Sequence, residues 1–361
     1  MAETRAIAQL TPEIWDDQFS TEFFQTNPFA AYSGTSENNI IRMKEDLASK
    51  RADGITFEFI TNLEKGTIKG RTPLKGSESQ MGEYGDKVLW DMRKKAISLH
   101  ELDLDLAAID LRSAARENLK AWAEEDVKLE VIDRLLDVGA ACDVPYGSAS
   151  AADKNAWNAA NADRVLYGAA KANFNATHAT ALANVDSAAD KLSRASVSLL
   201  KRIALLARPR ITPLRVEKKN RRFFIAFVHP YAFRDLKSEI ESVRATVNVV
   251  EQNEGIFLGG DLDYDGVLVH EVDDMPLLAG AGNAGIDIAP VYLCGQEALG
   301  WGVKSRYRSR EDTDDYEQVK GLGMIGKWGM KKLAYRFGTK DAAVIGKQRG
   351  MVTGFFAATG D

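Results

Sequence analysis

The run DLRSAARENLKAWAEEDVKLEVIDRLLDV, from Asp110 to Val138, constrains the fold more than any other part of the chain. Leu119, Trp122, Leu129, Ile132 and Leu136 recur at three- to four-residue spacing, so they share one face of a helix and leave charge on the other. Gly139 closes the run, as glycine does after many helices. At about 1.5 Å per residue such a helix spans roughly 40 Å. That length predicts an elongated molecule with this helix as its backbone.

The chain has 361 residues, enough for one large domain or two moderate ones with a real core. Hydrophobic residues make up 45% and charged residues 27%, the mix of a soluble globular protein. A net charge of −5 argues against a chain devoted to nucleic-acid binding. No apolar run is long enough to cross a bilayer, so no membrane partner is expected. Glu3, Arg5, Glu13, Asp16 and Asp17 interrupt the opening residues, so no signal peptide is expected either. Cys142 and Cys294 suit a reducing compartment and no disulfide framework.

Near the start, LTPEIWDDQFSTEFF reads as a short helix capped by Thr11, with Pro12 at its first position. Trp15, Phe19 and Phe23 share one aromatic face, which suits docking on its own domain or on a neighbouring subunit. Ile55–Asn62 alternates through Ile55, Phe57 and Phe59, and Lys87–Met92 through Val88, Trp90 and Met92. Between these strands lies TIKGRTPLKGSESQMGEYG, a polar, glycine-rich connection carrying Lys69, Arg71 and Lys75. Connections this long are rarely kept without a use.

Residues 147–185 are rich in Ala, Asn and Ser, which predicts a surface insertion with short helices. A helix over about Ser187–Ala207 follows. The strand RRFFIAFVHP, the helix YAFRDLKSEIESV and the strand GVLVHEV come next. Strands and glycine-rich turns alternate to the end through APVYLCG, ALGWGV, MKKLAYRF and GMVTGFFAA. The elements mix without a regular βαβ period, so the fold class is α+β.

Several motifs tempt a functional reading. DLDYDG, Asp261 to Gly266, begins like a calcium loop, but Val272 stands where a bidentate glutamate is needed; the better reading is an acidic turn. GLGMIGKW combines a dinucleotide fingerprint, through Gly321, Gly323 and Gly326, with most of a phosphate loop ending at Lys327. Trp328 replaces the hydroxyl residue that magnesium requires, so close-packed glycines between short strands fit better. A nucleotide-binding enzyme using Gly321–Lys327 is the alternative from another class. His100, His178, His229 and His270 are scattered, with no metal-ligand spacing. Lys201, Arg202, Arg208, Arg210, Arg215, Lys218, Lys219, Arg221 and Arg222 form a basic run that could track phosphates or meet acidic residues of another subunit. No catalytic constellation emerges, and no cofactor or metal is expected. An aromatic arm, a long hairpin and a long helix are devices for holding other chains.

The order of these parts resembles the Hong Kong 97-type capsid fold of tailed phages, and more closely the major capsid proteins of the N-four-type podophage family. The resemblance is carried by ITFEFITNL…GTIKGRTPLKGSE, HELDLDLAAIDLRSAARENLKAW, ADRVLYGAA, FFIAFVHPYAFRDLK, YDGVLVHEV and GMIGKWGMKKLAYRFG, in order over nearly the whole chain. It implies an N-terminal arm over 1–50 and an extended β-hairpin loop over 51–98. A peripheral domain would cover 99–195, with a spine helix over 103–139. An axial domain would cover 196–300, more peripheral strands 301–340, and a C-terminal strand returning to the axial domain 341–361. Lys65, Ile68, Lys69, Arg71, Leu74 and Lys75 would then contact neighbouring subunits from the loop, and Trp15, Phe19 and Phe23 from the arm. The implied function is self-assembly, through pentamers and hexamers, into an icosahedral shell around double-stranded DNA, and not enzymatic turnover. Portal, scaffolding and decoration proteins would be further partners, and the location would be the virion after assembly in the host cytoplasm. Lys65, Lys69 and Lys75 lie where a cross-linking lysine of the wider fold could sit, with no asparagine or catalytic glutamate identified. A cellular encapsulin-like shell is the alternative among non-enzymes.

Overall fold

The computed structural model describes residues 29–45, 53–61, 67, 69, 75, 78, 81–107, 110–187, 189–216, 221–246, 257–258, 261–316, 318–338 and 342–358. The first strands are β1 (Ser33–Gly34), β2 (Ile41–Lys44), β3 (Gly54–Thr61), β4 (Gly82–Leu89) and β5 (Asp91–His100). Then come β6 (Val165–Tyr167), β7 (Leu214–Val216), β8 (Arg221–Val228), β9 (Phe257–Leu258), β10 (Asp261–Tyr264) and β11 (Val267–Glu271). The last are β12 (Ile288–Cys294), β13 (Leu299–Asp314), β14 (Val319–Lys332), β15 (Phe337–Gly338) and β16 (Met351–Ala357). They form an eight-stranded sheet in the order β6-β16-β12-β8-β11-β10-β9, with β7 also on β8. A five-stranded sheet runs β1-β2-β13-β14-β5, and a three-stranded sheet runs β15-β4-β3. Helices and sheets mix as the α+β reading expects.

The central strands of the large sheet are covered on both faces, which is why they read as unbroken apolar runs. On β16, Val352 and Phe356 face one core with Leu200, Ile203 and Ala204 of the helix Arg194–Leu206. Met351, Phe355 and Ala357 face the other core. The helix expected from Ser187 starts only at Arg194, where the Ser193 side chain accepts from the Ser196 amide.

The long helix is shorter than expected, and it is broken. A separate helix, Glu101–Leu106, precedes it, and the main helix runs Leu111–Leu135, about 38 Å at 1.5 Å per residue. Asp110 caps it by accepting from the amides of Arg112 (3.0 Å) and Ser113 (3.3 Å). Leu136 is its C-cap, so Gly139, with φ of 91°, serves a later turn bounded by the Val138–Val144 bridge and does not close the helix. The buried row is Ala115, Leu119, Ala123, Val127, Val131 and Leu135, every fourth residue, and Ile132 and Leu136 join it. Trp122 is half-buried, edge-on to Tyr307 at 5.8 Å between ring centroids. Leu129, expected in the core, is 40% exposed. The buried row mixes leucines with alanines and valines, and a search for large residues alone overlooks Ala115, Ala123, Val127 and Val131.

Residues 147–185 correct another expectation, because they are woven into the core. β6 pairs in parallel with β16, and Trp157, Tyr167, His178 and Leu182 are buried. Tyr167 stacks on Phe355 at 5.1 Å, donates to Asn158 Oδ1 at 2.9 Å, and meets His178 Nδ1 at 2.7 Å. Few aliphatic residues are needed where aromatic rings fill the space.

The two tempting motifs are also placed. GLGMIGKW lies inside one fourteen-residue strand, β14, paired to β13 on one edge and β5 on the other, not between short strands. A Cβ at Gly326 would meet the Tyr307 ring at 2.8 Å, and one at Gly329 would clash with the Leu89 carbonyl. DLDYDG forms β10 and the turn to β11, with Asp265 and Gly266 both at positive φ, as a two-residue hairpin turn requires. Lys201 Nζ donates to Asp265 Oδ1 at 2.8 Å.

Candidate assembly surfaces

The hairpin expected from sequence is present as β3 and β4, paired from Gly54↔Leu89 to Thr61↔Gly82. Its second strand starts earlier than expected and ends at Leu89. The following residues leave the hairpin, because Asp91–His100 pairs with β14. Ile55, Phe57 and Phe59 point inward with Tyr84 and Val88, against Leu333 and Tyr335. Among these apolar side chains lies one carboxylate. Asp86 is fully buried and accepts from Lys331 Nζ (2.7 Å) and the Ala334 amide (3.1 Å). Burial raises its pKa, and the Lys331 ammonium opposes that rise. On the same side, the Arg349 guanidinium stacks 3.8 Å from the Phe59 ring centroid, while Arg349 and Arg42 both pair with buried Glu297. The hairpin stem is thus held to the body by the Asp86–Lys331 ion pair and the Arg349–Phe59 contact as well as by its apolar face.

Lys69 and Lys75, in the long connection, are exposed. Lys65, Ile68, Arg71 and Leu74 lie outside the described residues, as do Trp15, Phe19 and Phe23. Near the stem, Ile60, Leu89 and Phe337 are exposed, with Ile60 at 67%. Along the long helix, Glu117, Ala121, Glu125, Leu129 and Asp133 form an exposed ridge. Burial raises the pKa of Asp133, and neighbouring Glu130 adds to the rise.

The five-stranded sheet has two unlike faces. Toward the long helix, Arg93 pairs with Glu130 (2.7 Å) and Asp126 (3.2 Å) and stacks 4.2 Å from the Trp328 ring centroid. On the opposite face, Lys94, Ile325 and Arg308 stand in register across three strands, and Arg310 lies opposite Gly323 and Ala96. Lys94, Arg308 and Arg310 are exposed, and Lys327 is half-exposed. No carboxylate among the described residues pairs with any of these four. Sequence reasoning missed this face because its cations come from three separate segments. Of the basic run it singled out, Lys201 is engaged with Asp265, the Arg215 amide donates to Asn38 Oδ1 at 2.9 Å, and Lys218 and Lys219 lie outside the described residues.

Comparison with known proteins gives these surfaces a context. A family model described as phage capsid protein matches residues 7–353. The chain belongs to the phage capsid protein family. Among solved structures, the capsid asymmetric unit of cyanophage Pam1 is 30% identical over 100% of both chains, with a TM-score of 0.81. The capsid of Ralstonia phage GP4 is 19% identical over 91% of this chain and 90% of that one, at 0.72. The acid-stable capsid of Helicobacter pylori bacteriophage KHP30 is 13% identical over 99% and 94%, at 0.62, and like GP4 speaks to the fold alone. A comparison with curated proteins finds no match. The phage capsid protein therefore has the Hong Kong 97-type fold, and its place is the virion. In this capsid protein the Gly321–Lys327 motif is sheet structure and offers no strand-to-helix turn for a phosphate.

Proposed function

We propose that this phage capsid protein assembles with itself, through pentamers and hexamers, into the icosahedral shell that encloses the double-stranded DNA of a tailed phage. The family match over residues 7–353 carries the reading. The sequence resemblance supports a place among the N-four-type podophages. The extended hairpin, with Lys65, Ile68, Lys69, Arg71, Leu74 and Lys75, and the arm, with Trp15, Phe19 and Phe23, supply contacts to neighbouring subunits. Assembly takes place in the host cytoplasm with portal, scaffolding and decoration proteins, and the enclosed DNA is contacted without sequence preference. Leu129, Ile60 and Phe337, exposed outside the core, suit a subunit whose surface is covered by copies of itself. Sedimentation velocity of the purified chain tests this. Species far heavier than the 39.7 kDa subunit are expected, and a strict monomer at all concentrations and salts would refute it.

A further inference from the structure

The long β13–β14 hairpin carries opposite charges at its middle and at its end. Its middle holds the basic face described above, where Lys94, Arg308, Arg310 and Lys327 surround Ile325 and the flat backbone of Gly323, and Gly321 stands between Asp312 and Ser98 at its border. Its end carries Asp312, Asp314 and Asp315, all exposed, and Tyr316, which is 97% exposed. Glu311 is excluded from this group, because Arg112 and Arg116 of the long helix already bind it. Asp315 and Tyr316 both sit at positive φ, in the turn that joins β13 to β14.

We infer that the acidic end of this hairpin docks on the basic sheet face of a second copy of the chain. The inference rests on the shell reading, which brings many copies together. Charge complementarity chooses the occupant: among the described residues no carboxylate pairs with these cations, and no cation pairs with Asp312, Asp314 or Asp315. Glycines at 321 and 323 leave room above the strands, and Ile325 offers an apolar floor for a ring such as that of Tyr316. Contacts of this kind fix register and partner choice more than raw affinity.

Charge reversal tests it. One variant carries Arg308→Glu and Arg310→Glu; a second carries Asp312→Lys, Asp314→Lys and Asp315→Lys; a third carries all five changes. Circular dichroism checks that each folds. Sedimentation equilibrium reads association between subunits, and microscopy reads shells. Each partial reversal should weaken association by about tenfold or more, and the combined variant should recover most of it. Unchanged association in either partial variant, or no recovery in the combined one, overturns the docking. So does a face variant that associates normally but loses binding to a probe DNA duplex, which would assign the face to nucleic acid. A wild-type chain that associates only in pairs, with recovery in the combined variant, would support the docking while refuting the shell.

Discussion

Lys331 Nζ and Asp86 Oδ1 lie 2.7 Å apart, both buried, and join the hairpin stem to the end of β14. Removing one partner strands the other without water. Lys331→Met should therefore cost about 3–5 kcal/mol of stability. Adding Asp86→Asn should recover much of that loss, because no buried charge remains and the Ala334 amide keeps an acceptor. Urea denaturation of the three proteins measures it; a single variant as stable as wild type would show that the pair is not a constraint.

Asp137 gives a pH signature. Burial lifts its carboxyl to about 6 from 3.8, although Arg134 Nη1 donates to it at 2.9 Å. Its folded pKa lies above the unfolded one, so the native state holds the extra proton between about pH 4 and 6. The Asp137 contribution to stability thus falls as pH rises through that window. Asp137→Asn removes it, so the variant should gain on wild type by on the order of 1–3 kcal/mol between those pH values. Parallel melting curves at both ends of the window would contradict this.

Leu119 and Leu129 sit on the same helix and should behave differently. Leu119→Ala opens a cavity and should cost about 2–5 kcal/mol. Leu129→Gln, on the exposed ridge, should change stability by less than about 0.5 kcal/mol. Thermal melting compares them; equal losses would return Leu129 to the core.

Gly329 and Gly321 lie on the same strand. A methyl group at Gly329 meets the Leu89 backbone, whereas at Gly321 it meets nothing closer than 3.5 Å. Gly329→Ala should destabilise the fold by about 1–3 kcal/mol, and Gly321→Ala should be nearly neutral. A calorimeter run on both decides it; a neutral Gly329→Ala would mean that the sheet relaxes around the added carbon.

Local features were legible in the sequence. The start of the long helix near Asp110, the alternation of Ile55, Phe57 and Phe59, and the hairpin itself follow from short-range patterns. Asp86 finds Lys331 across a separation of 245 positions, and no local pattern announces such a pair. Arg42, Glu297 and Arg349 converge in the same hidden way. The stretch 147–185 misled because alanine and asparagine suggest a surface, while Trp157, Tyr167 and His178 bury themselves through rings and hydrogen bonds.

The most direct test of the account is negative-stain electron microscopy of the purified chain beside one whose residues 64–80 are replaced by a short Gly-Ser turn. That connection joins the ends of β3 and β4 and supplies none of the stem's core residues, so the shortened chain should fold and melt almost normally. Weak contacts repeated around a closed shell decide assembly through effective concentration. The full chain is expected to give closed shells, and the shortened chain folded subunits without them. Intact shells from the shortened chain would remove the hairpin from the account, and a full chain that never forms capsomers or shells would contradict its central claim.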